Sequence, residues 1–249
     1  MRLVPAFLLL VALSAQAADQ PEVRFITCPI YRDTDAGRKS GCWLAEDPQS
    51  GQRYDVSLAP SKPDWNFAIL VEGRVAAKQD DACGGTVLDP ARTSILPQRC
   101  PRRMIPAEGY PGRRFALPAR TVAPLTVKPV VPAGPFEARS FHIYFDFDSD
   151  FVSYQYGDYL LDQAARWLKA AAPKKIQIVG WAATGSDLAE HSAVARHRAE
   201  KIATSLTRLG IDQALLDVSW HDRAAMIDDA DADHLREPSR RRVDIVVSF

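Results

Sequence analysis

Residues 176–210 read IQIVGWAATGSDLAEHSAVARHRAEKIATSLTRLG, and this stretch decides the fold of the second half of the chain. Residues 176–181 are mostly apolar and β-branched, which predicts a strand. Over residues 187–209 apolar side chains recur every three or four positions, which predicts a long amphipathic helix. Gly210 then stops the helix. The stretch is therefore a strand followed by a long helix.

The sequence on both sides continues this alternation. Residues 140–147 alternate apolar and polar side chains as a strand does, and residues 154–172 have helical spacing that ends at Pro173. Residues 215–221 and 242–247 predict two further strands. Strands that alternate with helices on this scale predict an α/β sandwich, with the helices on one face of a mixed sheet.

Proline use divides the chain into two unlike halves. Sixteen of the 18 prolines precede residue 136, and they recur every few positions in residues 118–135. Such a segment predicts an extended, semi-rigid linker. A chain of 249 residues is long enough for two domains. We therefore predict one domain over residues 21–117 and a second over residues 136–249.

The N-terminal residues predict export. Residues 1–17 contain Arg2, an apolar run and small residues up to Ala17, which together are typical of a secretory signal peptide. No later stretch approaches the roughly 20 apolar residues of a membrane-spanning helix. The expected location is the periplasm, with the outer membrane or the cell wall as sites of association. The 31 basic and 31 acidic residues balance, which argues against nucleic acid as a partner.

The first half predicts β-structure held by disulfides. Short apolar runs alternate with turn residues, which favours a small β-barrel or sandwich and makes the whole chain α+β. Cys28, Cys42, Cys83 and Cys100 are even in number and belong to an exported chain, so we expect two disulfides. Three pairings are possible. We favour the local one, Cys28 with Cys42 and Cys83 with Cys100, in which each bridge closes a loop of roughly 15 residues.

Catalytic and metal-binding patterns are weak. Asp146, Asp148 and Asp150 have the spacing of the start of a calcium loop, but Phe151 occupies the position of its glycine. The cysteines lack the short ligand spacings of zinc sites. The chain also lacks the G-x-S-x-G elbow of serine hydrolases. We therefore predict a binding protein that has no metal or other cofactor and is not an enzyme.

Five pieces of the second half resemble the OmpA-like C-terminal domain family in order and spacing. They are Phe145-Asp146-Phe147-Asp148-Ser149, the strand that ends at Gly180, the sequence His197-Arg198-Ala199-Glu200, the turn Leu209-Gly210-Ile211-Asp212, and the closing Arg241-Arg242-Val243-Asp244-Ile245. The resemblance covers about residues 136–249. It implies non-covalent binding of peptidoglycan through the diaminopimelate of the stem peptide, and so a tether between the N-terminal domain and the cell wall.

The resemblance also indicates the residues of a binding site. The family pattern G-H-T-D reads Gly180-Trp181-Ala182-Ala183 here, so Ala183 replaces the aspartate that binds the ligand. The pattern N-x-x-L-S-x-x-R-A places His191 at the asparagine and retains Arg198. An arginine suits a carboxylate and an acid suits an ammonium group. The predicted site residues are Arg198, Asp187 as the substitute acid, Trp181, His191 and Arg241.

Two hypotheses follow from the lost aspartate. In the first, the domain binds peptidoglycan through Arg198 with an affinity reduced roughly ten- to a hundredfold. In the second, it is a degenerate scaffold that serves protein–protein interaction in an envelope assembly. In both, the N-terminal domain is free to contact another envelope protein. The orientation of an acid such as Asp187 beside Arg198 discriminates between them.

Overall fold

A computed structural model describes residues 21–34, 41–113, 130–152, 156–184 and 188–249. The predicted signal peptide and most of the predicted linker lie outside these residues. The strands and α-helices of the described residues are β1 (Glu22–Thr27), β2 (Ile30–Arg32), β3 (Cys42–Glu46), β4 (Arg53–Asp55), β5 (Phe67–Val75), β6 (Thr86–Arg99), β7 (Arg103–Ile105), β8 (Arg139–Tyr144), α1 (Tyr156–Ala171), β9 (Lys175–Trp181), α2 (Ala193–Arg208), β10 (Leu216–His221), α3 (Arg236–Arg240) and β11 (Arg242–Ser248).

The N-terminal part is a seven-stranded mixed sheet. Its strand order is β1-β5-β6-β4-β3-β2-β7, in which β4 pairs with β6 and β2 with β7 in parallel. Ile69 and Val71 of β5 point to one face of the sheet, where they pack with Leu88 and other buried apolar side chains. The predicted disulfide-linked β fold is thereby confirmed.

Strand β6 is much longer than its sequence predicts. The short apolar run at residues 86–88 predicts only a short strand, and prolines, which cannot donate a ladder hydrogen bond, follow at positions 90 and 97. The strand nevertheless runs for 14 residues, and its register against β5 shifts between Gly73 and Val75, close to Pro90. A shift of this kind accommodates a residue that cannot donate a ladder hydrogen bond.

The disulfides join Cys28 to Cys100 and Cys42 to Cys83, so the local pairing that we favoured is wrong. The reason lies in the order of the strands. β1 and β6 flank β5, so Cys28 after β1 and Cys100 after β6 meet at the same end of β5, with their Cα atoms 5.6 Å apart. Cys42 begins β3 and Cys83 lies in the segment between β5 and β6, and their Cα atoms are 5.7 Å apart. Contacts of the folded sheet and its connections, rather than nearness in sequence, therefore decide the pairing.

The C-terminal part is a four-stranded mixed sheet with helices packed on it. Its order is β10-β9-β11-β8; β10 runs parallel to β9, and β11 runs antiparallel to both of its neighbours. Apolar side chains at alternate strand positions, such as Ile176, Ile178 and Ile245, pack with Leu168 of α1 and Ile202 of α2. The predicted α/β sandwich is confirmed.

Helix α2 begins later than its sequence pattern predicts. The expected helix covers residues 187–209, but α2 starts at Ala193, and Ser192 occupies the N-cap position. Residues 188–192 therefore lead into the helix without being part of it. This short segment carries Glu190, whose carboxylate pairs with Arg198 of α2.

Gly180 sets the distance between β9 and α2. A Cβ atom at this position would lie 2.1 Å from the backbone oxygen of Ala195 and 3.0 Å from the Cβ of Ala199. Since backbone atoms of α2 cannot move aside locally, Gly180→Ala is expected to lower the free energy of unfolding by about 1–3 kcal/mol. Urea denaturation measures the change. The exposed Gln177 on the same strand is the control, and Gln177→Ala should stay within about 0.5 kcal/mol of wild type. Equal stabilities for the two variants would contradict this packing.

Candidate functional site

Arg198 lies on α2 with its side chain fully buried, and the protein itself satisfies the whole guanidinium group. Nε donates to the Ser149 carbonyl at 2.8 Å. Nη1 donates to the Trp181 carbonyl at 3.0 Å and to Glu190 Oε2 at 3.1 Å. Nη2 donates to the Asp146 carbonyl at 3.1 Å and to Glu190 Oε1 at 2.6 Å. An arginine has five N–H groups, and all five are therefore used.

Glu190 is the partner that the sequence analysis missed. Its side chain is as fully buried as that of Arg198, with which it forms a two-point ion pair. Oε1 also accepts the backbone N–H of Asp148 at 2.8 Å, and Oε2 accepts the backbone N–H of Ala183 at 2.7 Å. Burial opposes ionisation of the carboxyl, but hydrogen bonds and charge from Arg198 outweigh it and lower the pKa of Glu190.

These groups form a receptor for one carboxylate. A guanidinium fork and two backbone N–H groups converge on the same two oxygen atoms, which is a strong arrangement for binding a carboxylate. In this protein the carboxylate comes from Glu190. Ala183, at the position of the aspartate in the pattern that this sequence resembles, is itself buried; its backbone N–H donates to Glu190, and its carbonyl accepts the backbone N–H of Glu190 at 3.5 Å. The acid missing at position 183 is thus present at position 190, but it faces Arg198 rather than solvent.

His191 lies next to this pocket but outside it. Its side chain is 86% exposed and pairs through Nδ1 with the carboxylate of Asp148. The backbone N–H of His191 donates to the same carboxylate at 2.8 Å. His191 and Asp148 therefore tie the segment that carries Glu190 to the loop that supplies carbonyl groups to Arg198.

Trp181 contributes its backbone, and not its ring, to the Arg198 pocket. Gly180 faces α2, so the alternation of the strand directs the Trp181 ring to the opposite face of the sheet. There Nε1 donates to Asp244 at 2.7 Å, and the ring stacks on His221 with centroids 4.8 Å apart. The Trp181 ring therefore lies on the face of the sheet that is turned away from Arg198.

Arg241 is also engaged elsewhere. Its side chain is 1% exposed and forms a two-point ion pair with Glu72 of β5, at 3.0 and 2.5 Å. Burial opposes ionisation of Glu72, but Arg241 outweighs it and holds the pKa of Glu72 below its usual value. Of the four predicted site residues that the structure describes, only Arg198 thus has its side chain in the pocket. Asp187 lies outside the described residues.

Neither a metal-binding cluster nor a membrane-spanning helix occurs in the part of the chain that the structure describes. Among the described residues, no group of three or more His, Cys, Asp and Glu side chains is placed to hold a metal ion. Within the same part of the chain, no helix combines the length and apolarity required to cross a membrane.

Comparisons with known proteins identify relatives of part of the chain. No protein-family model and no curated protein matches it. Among solved structures, it is similar to the peptidoglycan-associated lipoprotein from Burkholderia pseudomallei, with 31% identity over 42% of this chain and 87% of that one and a TM-score of 0.33. The OmpA-like domain of FopA1 from Francisella tularensis is 16% identical over 43% and 70%, with a TM-score of 0.37. The periplasmic domain of Helicobacter pylori MotB is 17% identical over 45% and 75%, with a TM-score of 0.37.

Proposed function

Since the C-terminal part of this chain is an OmpA-like domain, we propose that the protein acts in the cell envelope and that this domain is a scaffold for protein contacts. OmpA-like domains typically bind peptidoglycan. Here the observation that carries the proposal is the closed pocket, in which all five N–H groups of Arg198 donate to acceptors within the chain. In this proposal Glu190 of the chain itself fills the site at which the family binds the stem peptide.

The energetics of exchange support a closed site. A ligand carboxylate gains the contacts that Glu190 gives up, so the exchange offers little net binding energy. Glu190 is tethered and competes as a ligand would at an effective concentration of about millimolar or higher. An incoming ammonium group would also find Ala183 where the family has an aspartate, at a cost of about 1.5–3 kcal/mol. Competition from Glu190 and the missing aspartate at position 183 both weaken stem-peptide binding.

The disulfides support an extracytoplasmic location. Cys42–Cys83 is a buried bridge and Cys28–Cys100 a half-buried one, and disulfides of this kind persist in oxidising compartments. The relatives include a periplasmic domain, that of MotB. We place the protein in the periplasm, exported by residues 1–17, as a binding protein rather than an enzyme. OmpA-like peptidoglycan-binding domains are generally non-catalytic.

Peptidoglycan tethering through Arg198 is the second candidate function. The retained Arg198 and the 31% identity to a peptidoglycan-associated lipoprotein favour it. It requires that Glu190 leave the pocket and that the ligand carboxylate take its place on Arg198 and on the two backbone N–H groups. The two candidates therefore differ in whether Glu190 can be displaced.

Co-sedimentation with purified diaminopimelate-type peptidoglycan separates the two candidates. We expect the wild-type chain to remain in the supernatant, as does Arg198→Ala. The double variant Glu190→Ser/Ala183→Asp is expected to sediment, because it empties the pocket and restores the acid for the ammonium group. Arg196→Ala is the matched control, since Arg196 is an exposed arginine on the same helix.

The opposite pattern would support tethering. Saturable sedimentation of wild type that Arg198→Ala abolishes and Arg196→Ala leaves intact would contradict the scaffold proposal. Near-ultraviolet circular dichroism checks that each variant is folded before its binding is compared.

A further inference from the structure

The N-terminal sheet uses a second face, formed by β1, β5 and β6, to pack against the OmpA-like domain. Residues of β5 that alternate with its core positions point to this face, among them Leu70 and Glu72. Polar contacts join the two parts around the edge of this face. They are Glu72 with Arg241, Arg92 with Asp233, Ser61 with Asp146, Ser94 with the Phe147 N–H, Glu22 with the Arg236 N–H, and Arg74 with the His234 carbonyl.

Phe147 lies at the apolar centre of this contact. Its side chain is 6% exposed and packs in one cluster with Ala68 and Leu70 of β5 and Leu96 of β6. Leu188, two residues before Glu190, packs against the same cluster. The N-terminal sheet therefore contacts the segment that carries Phe147, and Leu188, from the segment that carries Glu190, packs against the same cluster.

The segment of residues 146–149, here called the clamp loop, is held from both sides. On one side Ser61 donates to the Asp146 carboxylate at 2.9 Å, and Ser94 accepts the Phe147 N–H at 2.8 Å. On the other side the carbonyls of Asp146 and Ser149 accept from Arg198, and the Asp148 N–H donates to Glu190. The position of the clamp loop therefore depends on the N-terminal sheet. The hydrogen bonding of the Arg198 guanidinium group depends in turn on the clamp loop.

We propose that docking of the N-terminal domain is what closes the Arg198 pocket. The docked sheet fixes the clamp loop where its two carbonyls and one N–H complete the contacts of Arg198 and Glu190. Undocking frees the clamp loop, withdraws these acceptors and exposes Arg198 to solvent. The inference rests on the closed pocket of the proposed function. It adds that the N-terminal domain is an intramolecular cap that keeps this pocket closed.

The coupling follows from shared contacts. Two sites influence each other's free energy when both bias the same element between two arrangements. Here the shared element is the clamp loop, four residues long, with Phe147 at the domain contact and its flanking carbonyls at the pocket. Phe147 is buried between the domains. Undocking would expose this side chain and release the clamp loop from its contacts with the N-terminal sheet.

Chemical labelling of arginine by phenylglyoxal, mapped by mass spectrometry on the full chain, tests the proposal. Leu96→Asp places a charge in the buried domain contact, whereas Ile95→Asp places the same charge at a neighbouring position that is 49% exposed. Arg196 is the internal standard for exposed arginine on α2. We expect Arg198 to be protected in wild type and Ile95→Asp, and to react faster in Leu96→Asp by about fivefold or more, the lower end of ordinary coupling between sites.

The outcomes separate the inference from the proposed function. Wild-type Arg198 that reacts as fast as Arg196 would overturn the closed pocket itself. Arg198 that is equally protected in wild type and in folded Leu96→Asp would overturn the coupling alone. If Leu96→Asp does not fold, Glu72→Gln weakens the same contact more mildly, and its labelling is read in the same way: faster reaction of Arg198 supports the cap, and unchanged protection overturns it.

Discussion

Glu190→Ala is expected to lower the free energy of unfolding by about 3–5 kcal/mol, the cost of leaving a buried charge without its partner. Arg198 would keep three carbonyl acceptors and lose both carboxylate contacts. The backbone N–H groups of Asp148 and Ala183 would also lose their acceptor. Urea denaturation of the full chain measures the loss. Added acetate should recover part of it, because a small carboxylate fits the receptor that Glu190 leaves.

A control variant, Glu200→Ala, and a dependence on pH follow from the same contacts. Glu200 pairs with Arg196 on the exposed side of α2, so Glu200→Ala should cost less than about 1 kcal/mol. The pKa of Glu190 is lowered on folding, so its contribution is complete above the unfolded-state pKa of 4.5 and is lost as the pH falls through the lower folded-state value. The gap between wild type and Glu190→Ala should therefore shrink as the pH falls below 4.5. A cost no larger than that of Glu200→Ala would contradict the buried pair.

Glu72→Ala is expected to cost a similar amount, about 3–5 kcal/mol, although Glu72 and its partner belong to different parts of the fold. Arg241 is buried and meets the Glu72 carboxylate with two N–H groups, while Arg24 adds a third contact at 3.2 Å. Removing the acid leaves the buried Arg241 between the two domains without its ion-pair partner. Because the pair joins the domains, amide hydrogen exchange should accelerate both in β5 and in β11.

The control for this variant is Glu46, an acid of the same domain. Glu46 is paired with Arg53 and Arg103 but is 31% exposed, so Glu46→Ala should change stability by less than about 1 kcal/mol. Exchange in β11 should stay at the wild-type rate in this control. If Glu72→Ala behaves like Glu46→Ala, or if it accelerates exchange in β5 alone, the two domains are not coupled through Arg241.

The sequence predicts the elements of the OmpA-like domain well because their patterns are local. Apolar periodicity determines α1, α2 and the four strands, and it is visible without any tertiary contact. The start of α2 was placed six residues early, because the acid and small residues before Ala193 are compatible with a helix. The strands of the N-terminal sheet are harder to predict, since β6 continues through two prolines where its pairing with β5 shifts register.

The partners of the predicted site residues could not be read from the sequence. Arg198 was found because its spacing matches a family pattern. Glu190 stands one residue before the matched His191, and its only signal was that it is an acid close to a lost acid. The ion pair of Arg241 with Glu72 spans 169 residues. The disulfides were mispaired for the same reason, since sheet order, and not loop length, brings Cys28 to Cys100.

In the proposed function, Glu190 takes the place of a ligand carboxylate on Arg198. The most direct measurement is titration calorimetry of the full wild-type chain with a soluble stem peptide that contains diaminopimelate. We expect no saturable heat for wild type. Saturable binding by wild type that is abolished in Arg198→Ala would show that a ligand displaces Glu190, and would contradict the closed pocket.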